Sequence, residues 1–222
     1  MNESQKLLLV LLISVEIAFT HSVVVNVALI VISIMILILV KCPIKTLVRL
    51  TMMSILPALG SFTSFYFFGR GDSADRLHFA LVMTTRVWAY IFMGAAFMET
   101  MVLYKLLRAL EQNAKMSATF VYGILGAFNF IPKVITAVKT TRAVALMRGQ
   151  VLSFWSPILY FKAISQALVW SNNLAMAMTS HGFEEGESRS YYQLLPTKIA
   201  GWLIILFIMI VLQICLFVIK LW

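Results

Sequence analysis

The sequence predicts an all-α, polytopic membrane protein of about five transmembrane helices, with cytoplasmic helices that cross each other inserted before the last span. Three observations carry this reading. Of the 222 residues, 61% are hydrophobic and 12% charged, with a mean hydropathy of +0.93, whereas ordinary soluble domains carry roughly 25% charged residues. Apolar runs approaching the roughly 20 residues that a bilayer requires recur along the chain. Between the fourth run and the last lies a region of about ninety residues that alternates polar and apolar at helical period. Three segments follow: 1–103 with four transmembrane helices, 104–195 as a cytoplasmic domain, and 196–222 as the last span.

The first apolar run, 7–20, follows Lys6 and imitates a secretory signal. Glu16 interrupts it and a second run, 23–40, comes almost at once, so the two read as a membrane hairpin turning at His21 and Ser22. The third span is read over 50–68 and the fourth over 77–103. The last covers 199–221, with Trp202 and Trp222 at headgroup-like depths. Cys42 and Cys215 are far apart and sit beside or inside apolar runs, so neither a disulfide framework nor a metal site follows.

Charge orients these spans. The formal net charge is +9, and the basic residues sit mainly beside apolar runs, which points to the anionic membrane face rather than to nucleic acid. With the N-terminus cytoplasmic, of the 18 Lys and Arg only Arg70, Arg76 and Lys220 fall outside and Arg86 falls within a span. That is the positive-inside pattern. It predicts a multi-pass protein of the cell membrane with 105–198 in the cytoplasm and the C-terminus extracellular.

Within that region one helix is read over 104–114, a second over 132–148 and a third over 157–181. Pro132 opens the second and Gly149 follows its end; Ser156 reads as the N-cap of the third and Gly182 follows it. The apolar stretch 117–132, with Gly123, Gly126 and Asn129, is short for a span and reads as an interfacial or buried helix. An acidic linker with Glu184, Glu185 and Glu187 comes after the third helix.

Small residues recur every fourth position: Ala137, Thr141, Ala145 and Gly149 on the second helix, and Ala163, Ala167, Ser171, Ala175 and Thr179 on the third. Such stripes let helix backbones approach closely, so the two helices are expected to cross face to face, unless the stripes are ordinary packing. Each helix then closes on a basic residue and a glycine: Arg148-Gly149, and His181-Gly182 followed by Phe183. Taken singly, such an end is what any stable helix C-terminus prefers. Met147, Phe154, Trp155, Met176 and Met178 suit an adaptable partner surface, or equally a core.

Phe130-Ile131-Pro132, then Ala145–Gly149, then Ala177–Phe183 resemble the transmembrane T component of energy-coupling factor (ECF) vitamin transporters, the EcfT/CbiQ family. That family's pattern is a Phe-Ile-Pro start, a long helix ending in Ala-x-x-Arg-Gly, and a second ending in Ala-Met-x-Ala-Arg-Gly-Tyr/Phe. Leu106-Leu107-Arg108-Ala109-Leu110 is similar to a further family segment, and the resemblance covers residues 86–192. It implies a scaffold subunit without catalytic residues or cofactors. Two ABC ATPase subunits would dock below, at Ala145, Arg148 and Gly149 and at Ser180, His181, Gly182 and Phe183, and a substrate-binding membrane S component would sit in the bilayer. In this chain Ser180 stands where the family has alanine, and His181 where it has arginine. Histidine lacks the permanent charge and planar fork of a guanidinium. That departure, with the acidic linker, implies a member specialised for its own ATPases.

Three charges remain within spans. Glu16 and Arg86 both fall near mid-depth, so a structural ion pair between the first and fourth spans is one reading and an ion path the other. Glu99 sits near the inner end of the fourth span, within reach of Arg49. The alternative function is therefore a secondary transporter or channel built on Glu16, Arg86 and Glu99. The chain has no phosphate-binding glycine loop, and its three histidines and nine acids form no metal-ligand or paired-carboxylate spacing, which argues against an enzyme.

Overall fold

The structure, a computed structural model, describes residues 2–69, 72–153, 155–187 and 190–221, with side chains to residue 218. Arg70, Phe154, Arg189 and Trp222, and the side chain of Lys220, lie outside the described residues. The described residues form eight helices and no strand: α1 (Glu3–Phe19), α2 (Val23–Leu39), α3 (Ile44–Phe68), α4 (Ser73–Thr100), α5 (Leu103–Asn113), α6 (Ala118–Met147), α7 (Pro157–Ser180) and α8 (Ile199–Leu221). They divide into two compact units. One holds residues 1–109 and 195–222, the other residues 110–194.

Among the described residues four helices are long and apolar enough to cross a membrane: α3, α4, α6 and α8. This is a multi-pass membrane protein, and the set of helices able to span by length and apolarity differs from the five read in the sequence. The hairpin helices α1 and α2 are 17 residues each, about 25 Å at 1.5 Å per residue, and fall at the short limit for a bilayer. The α6 stretch joins the set because it does not end at Pro132. Residues 118–147 form one helix of 30 residues, with Pro132 inside it. Proline removes one rung of the helical ladder, and a long apolar helix tolerates that loss. Pro57 sits inside α3 in the same way.

In the first unit α4 is central. Its buried positions Val82, Ala89 and Ala96 recur every seven residues and are small, which lets α2 and α3 pack closely against it. Ile13 and Ile17 of α1, Met93 of α4 and Leu212 of α8 form one core; Leu37, Cys42, Phe92 and Ala96 form another. Two hydrogen bonds fix the register. Asn26, fully buried, donates to the Val82 carbonyl at 3.1 Å, and the Tyr90 hydroxyl donates to the Ser14 carbonyl at 3.1 Å. Large apolar side chains such as Leu39, Leu56 and Phe68 face outward, as lipid contact requires.

The α2 helix ends on Lys41 in the left-handed region (φ 59°), with the Cys42 amide bonded to the Leu37 carbonyl at 3.0 Å. This turn seats Cys42 in the second core, beside Glu99. Burial, then the charge of Glu99 and a hydrogen bond with it, push the Cys42 thiol up, against a lowering bond from Thr46. The thiolate is the reactive form, so Cys42 is expected to react slowly with maleimide at pH 7.5. Glu99→Gln removes the charge, lowers the thiol's pKa and is expected to accelerate labelling roughly threefold or more in a Cys215→Ser background. An unchanged rate would remove Glu99 as a cause.

Candidate functional site

The second unit contains the helix ends singled out in the sequence. Helix α6 finishes on Arg148, and Gly149 takes φ +73°. The Gln150 amide bonds back to the Ala145 carbonyl at 2.9 Å, and the Gly149 amide to that of Leu146 at 3.0 Å. Helix α7 repeats the arrangement on His181, with Gly182 at φ +75°; the Phe183 amide bonds to Met178 at 2.9 Å and the Gly182 amide to Thr179 at 3.0 Å. Both are Schellman caps, in which glycine reaches the left-handed region without a Cβ clash and the last carbonyls find donors.

The two ends differ in their surroundings. Arg148 is exposed, and its side chain makes no hydrogen bond or ion pair among the described residues. Near it in the chain, Met147, Val151 and Trp155 are 84–88% exposed, so this end carries large apolar side chains that the described residues leave uncovered. At the other end Phe183 is half-buried and packs edge-on against Tyr122, with ring centroids 5.7 Å apart. Ser180 turns its hydroxyl to the Ala177 carbonyl at 2.9 Å. His181, Glu184 and Glu187 line a shallow cleft of about 600 Å³ there.

Helices α6 and α7 pack against each other in opposite directions: Gly126 meets Leu174, Phe130 lies 6.1 Å from Trp170, and Ala137 and Thr141 share a cleft with Ala163. A Cβ on Gly126 would fall 2.8 Å from Leu174 Cδ2, so this glycine permits the close approach. Because Phe183 sits on Tyr122, in the second turn of α6, the His181 end lies at the opposite end of α6 from Arg148. That separation, from Tyr122 to Arg148, is about 40 Å at about 1.5 Å per residue.

The small-residue stripes do not make this contact along their whole length. Ala163 and Ala167 are half-buried, whereas Ser171, Ala175 and Thr179 are exposed. A stripe repeating every four residues rotates about 40° per step on a helix of 3.6 residues per turn, so it drifts off the partner. The inward positions of α7 are instead Leu159, Trp170 and Leu174. On α6, Ala145 is buried, and Ala137 and Thr141 line an open cleft of about 750 Å³ with Lys133, Lys162 and Trp170.

In the first unit the charges expected to pair have other partners. The Glu16 carboxylate accepts from the Gln213 side chain of α8, and Arg86 donates to the Thr20 carbonyl. The Thr20 hydroxyl donates in turn to the Glu16 carbonyl at 2.9 Å, so both charges converge on the last turn of α1 without meeting. Glu99 neighbours Cys42 and makes no ion pair with Arg49 among the described residues. Gln213 went unread although its signal is plain: it is the one neutral polar side chain in the middle of an apolar α8. Among the described residues no three His, Cys, Asp or Glu side chains gather as a metal requires.

No protein-family model matches the chain, and no curated protein matches it. The family resemblance therefore rests on the motif residues alone.

Proposed function

We propose that this chain is the membrane scaffold of an ECF-type importer of a vitamin or micronutrient, carrying motion from two ABC ATPases to a separate substrate-binding membrane subunit. The observation that supports the reading is the pair of Schellman-capped ends, Arg148-Gly149 and His181-Gly182, about 40 Å apart on one antiparallel helix pair. Such spacing suits two docking partners rather than one. Arg148, exposed and with no side-chain partner among the described residues, is the stronger anchor, since a guanidinium makes several directed bonds and keeps its charge when desolvated. ATP-driven closure of the ATPases would shift the two ends relative to each other and tilt the substrate-binding subunit. In this reading α6 and α7 lie along the cytoplasmic face, with the N-terminus inside and the C-terminus outside.

The length and apolarity of α6 favour a second reading. If α6 crossed the bilayer, its antiparallel packing with α7 would leave Arg148 and His181 on opposite faces, and a transporter or channel would fit better. Membrane-impermeant labelling separates the two. Gln150→Cys and Glu184→Cys, each in a chain lacking Cys42 and Cys215, are both expected to label in inside-out vesicles and to be protected in right-side-out ones. Labelling from opposite faces would overturn the scaffold and favour the transporter.

A further inference from the structure

At the end of the first unit where α1 passes into α2, a cavity of about 1030 Å³ opens among α1, α2, α4 and α8. Its walls are apolar, with Leu12, Val15, Leu81 and Leu216, and Val15 is 57% exposed and Leu81 42%, so the space is open toward the bilayer. Its polar groups include Glu16 and Gln213. Glu16 is only 9% exposed: one carboxylate oxygen accepts from Gln213, and the other, Oε2, is buried with no partner among the described residues. A buried acceptor left unmatched is unfavourable in a water-poor setting. No described residue supplies its missing donor.

We propose that this cavity binds a neutral, hydroxyl-bearing amphiphile that enters sideways from the bilayer. Its hydroxyl donates to Glu16 Oε2, and its chain lies along Leu12, Val15 and Leu216. The size falls at the upper end for small-molecule sites. Charge selects the head group. A carboxylate or phosphate would face Glu16, and Arg86, bonded to the Thr20 carbonyl, is not among the lining residues. An ammonium would meet Glu16 favourably, but it must shed its water to enter an apolar cavity that His21 and His78 also line, and that desolvation offsets the attraction. A neutral donor satisfies the carboxylate without either conflict. The site lies wholly in the first unit and does not rest on the coupling role proposed above.

Three diazirine-bearing probes of equal chain length, an alcohol, a carboxylic acid and an amine, decide the matter on the full chain in phosphatidylcholine nanodiscs. The alcohol is expected to label residues 12–24 or 209–216 about tenfold more than the other two, as one added hydrogen bond to a charged acceptor allows. Unlabelled long-chain alcohol should compete it away. Glu16→Leu should abolish the preference for the alcohol. Val15→Trp, which fills the apolar arm and leaves Glu16 in place, should reduce labelling by all three probes, so the proposal stays testable if Glu16→Leu fails to fold. Equal labelling by the three probes, preference for a charged one, or labelling spread over the outward faces of α2 and α3 would overturn the site.

Discussion

If the chain is the scaffold proposed above, Arg148→Glu is expected to abolish co-purification of ABC ATPases while leaving the chain in the membrane. The side chain is exposed and bonds to no described residue, so folding has no stake in it. Its Schellman cap is made by backbone groups and Gly149, which the substitution leaves intact. What changes is the charge at a helix C-terminus. Arginine complements the negative end of the helix dipole and offers a fork to an acidic or carbonyl-lined groove, whereas glutamate repels both. An anchor of this kind is worth about 2 kcal/mol or more, so affinity should fall at least roughly 30-fold. Arg148→Lys keeps the charge but loses the fork and should give an intermediate loss. His181→Glu should have the smaller effect, because the second end is pinned from inside by Phe183 on Tyr122 and already faces Glu184 and Glu187. Affinity purification from native membranes in mild detergent measures all three. If the ATPases stay bound to Arg148→Glu, this end is only a cap, and if none accompanies even the wild type, the scaffold reading fails.

What could be read from the sequence was local. Gly149 and Gly182 reach positive φ because a left-handed cap needs no Cβ, and that requirement shows in the residues themselves. The last helix was readable for the same reason: an unbroken apolar run leaves little choice. Lys41 adopts the same cap geometry at φ 59°, yet lysine gives no such signal. Pro132 misled because its local penalty is real, while the uninterrupted hydrophobicity on both sides carried the helix through it. Lys45 and Arg49 mark where apolarity begins, and α3 begins earlier, at Ile44, because a helix boundary need not coincide with a membrane boundary. Partnership was the least visible property. Opposite charges suggested Glu16 with Arg86, but the packing gave them Gln213 and the Thr20 carbonyl, neither of which charge patterning can point to.

The first unit carries a tight joint whose disruption should be the most destabilising single-atom change in the chain. Gly201, in the first turn of α8, is buried against Gln5 of α1, which is 1% exposed. A Cβ built there would fall 2.6 Å from Gln5 Cδ and 2.7 Å from Nε2. The carboxamide has nowhere to go. Its Oε1 accepts from the Asn2 amide at 3.1 Å, closing the capping box of α1, and its Nε2 donates to the Lys198 carbonyl at 3.0 Å. Beside it the Asn2 side chain donates to the Leu195 carbonyl at 2.6 Å, tying the same helix start to the segment before α8. Gly201→Ala must therefore break these bonds or push the helix starts apart, at a cost of about 1–3 kcal/mol from overpacking and about 1 kcal/mol for each bond lost. For a chain of this size the thermal midpoint in detergent should fall by roughly 5 °C or more. Gln5→Ala alone should destabilise less, since the Lys198 carbonyl keeps its bond from the Gly201 amide at 2.9 Å. Combined with Gly201→Ala it should recover part of the loss, because the new methyl fills the space the carboxamide vacates, giving a coupling of about 1–2 kcal/mol. Strict additivity, or a Gly201→Ala midpoint within a degree of wild type, would mean that α1 and α8 do not meet through this pair.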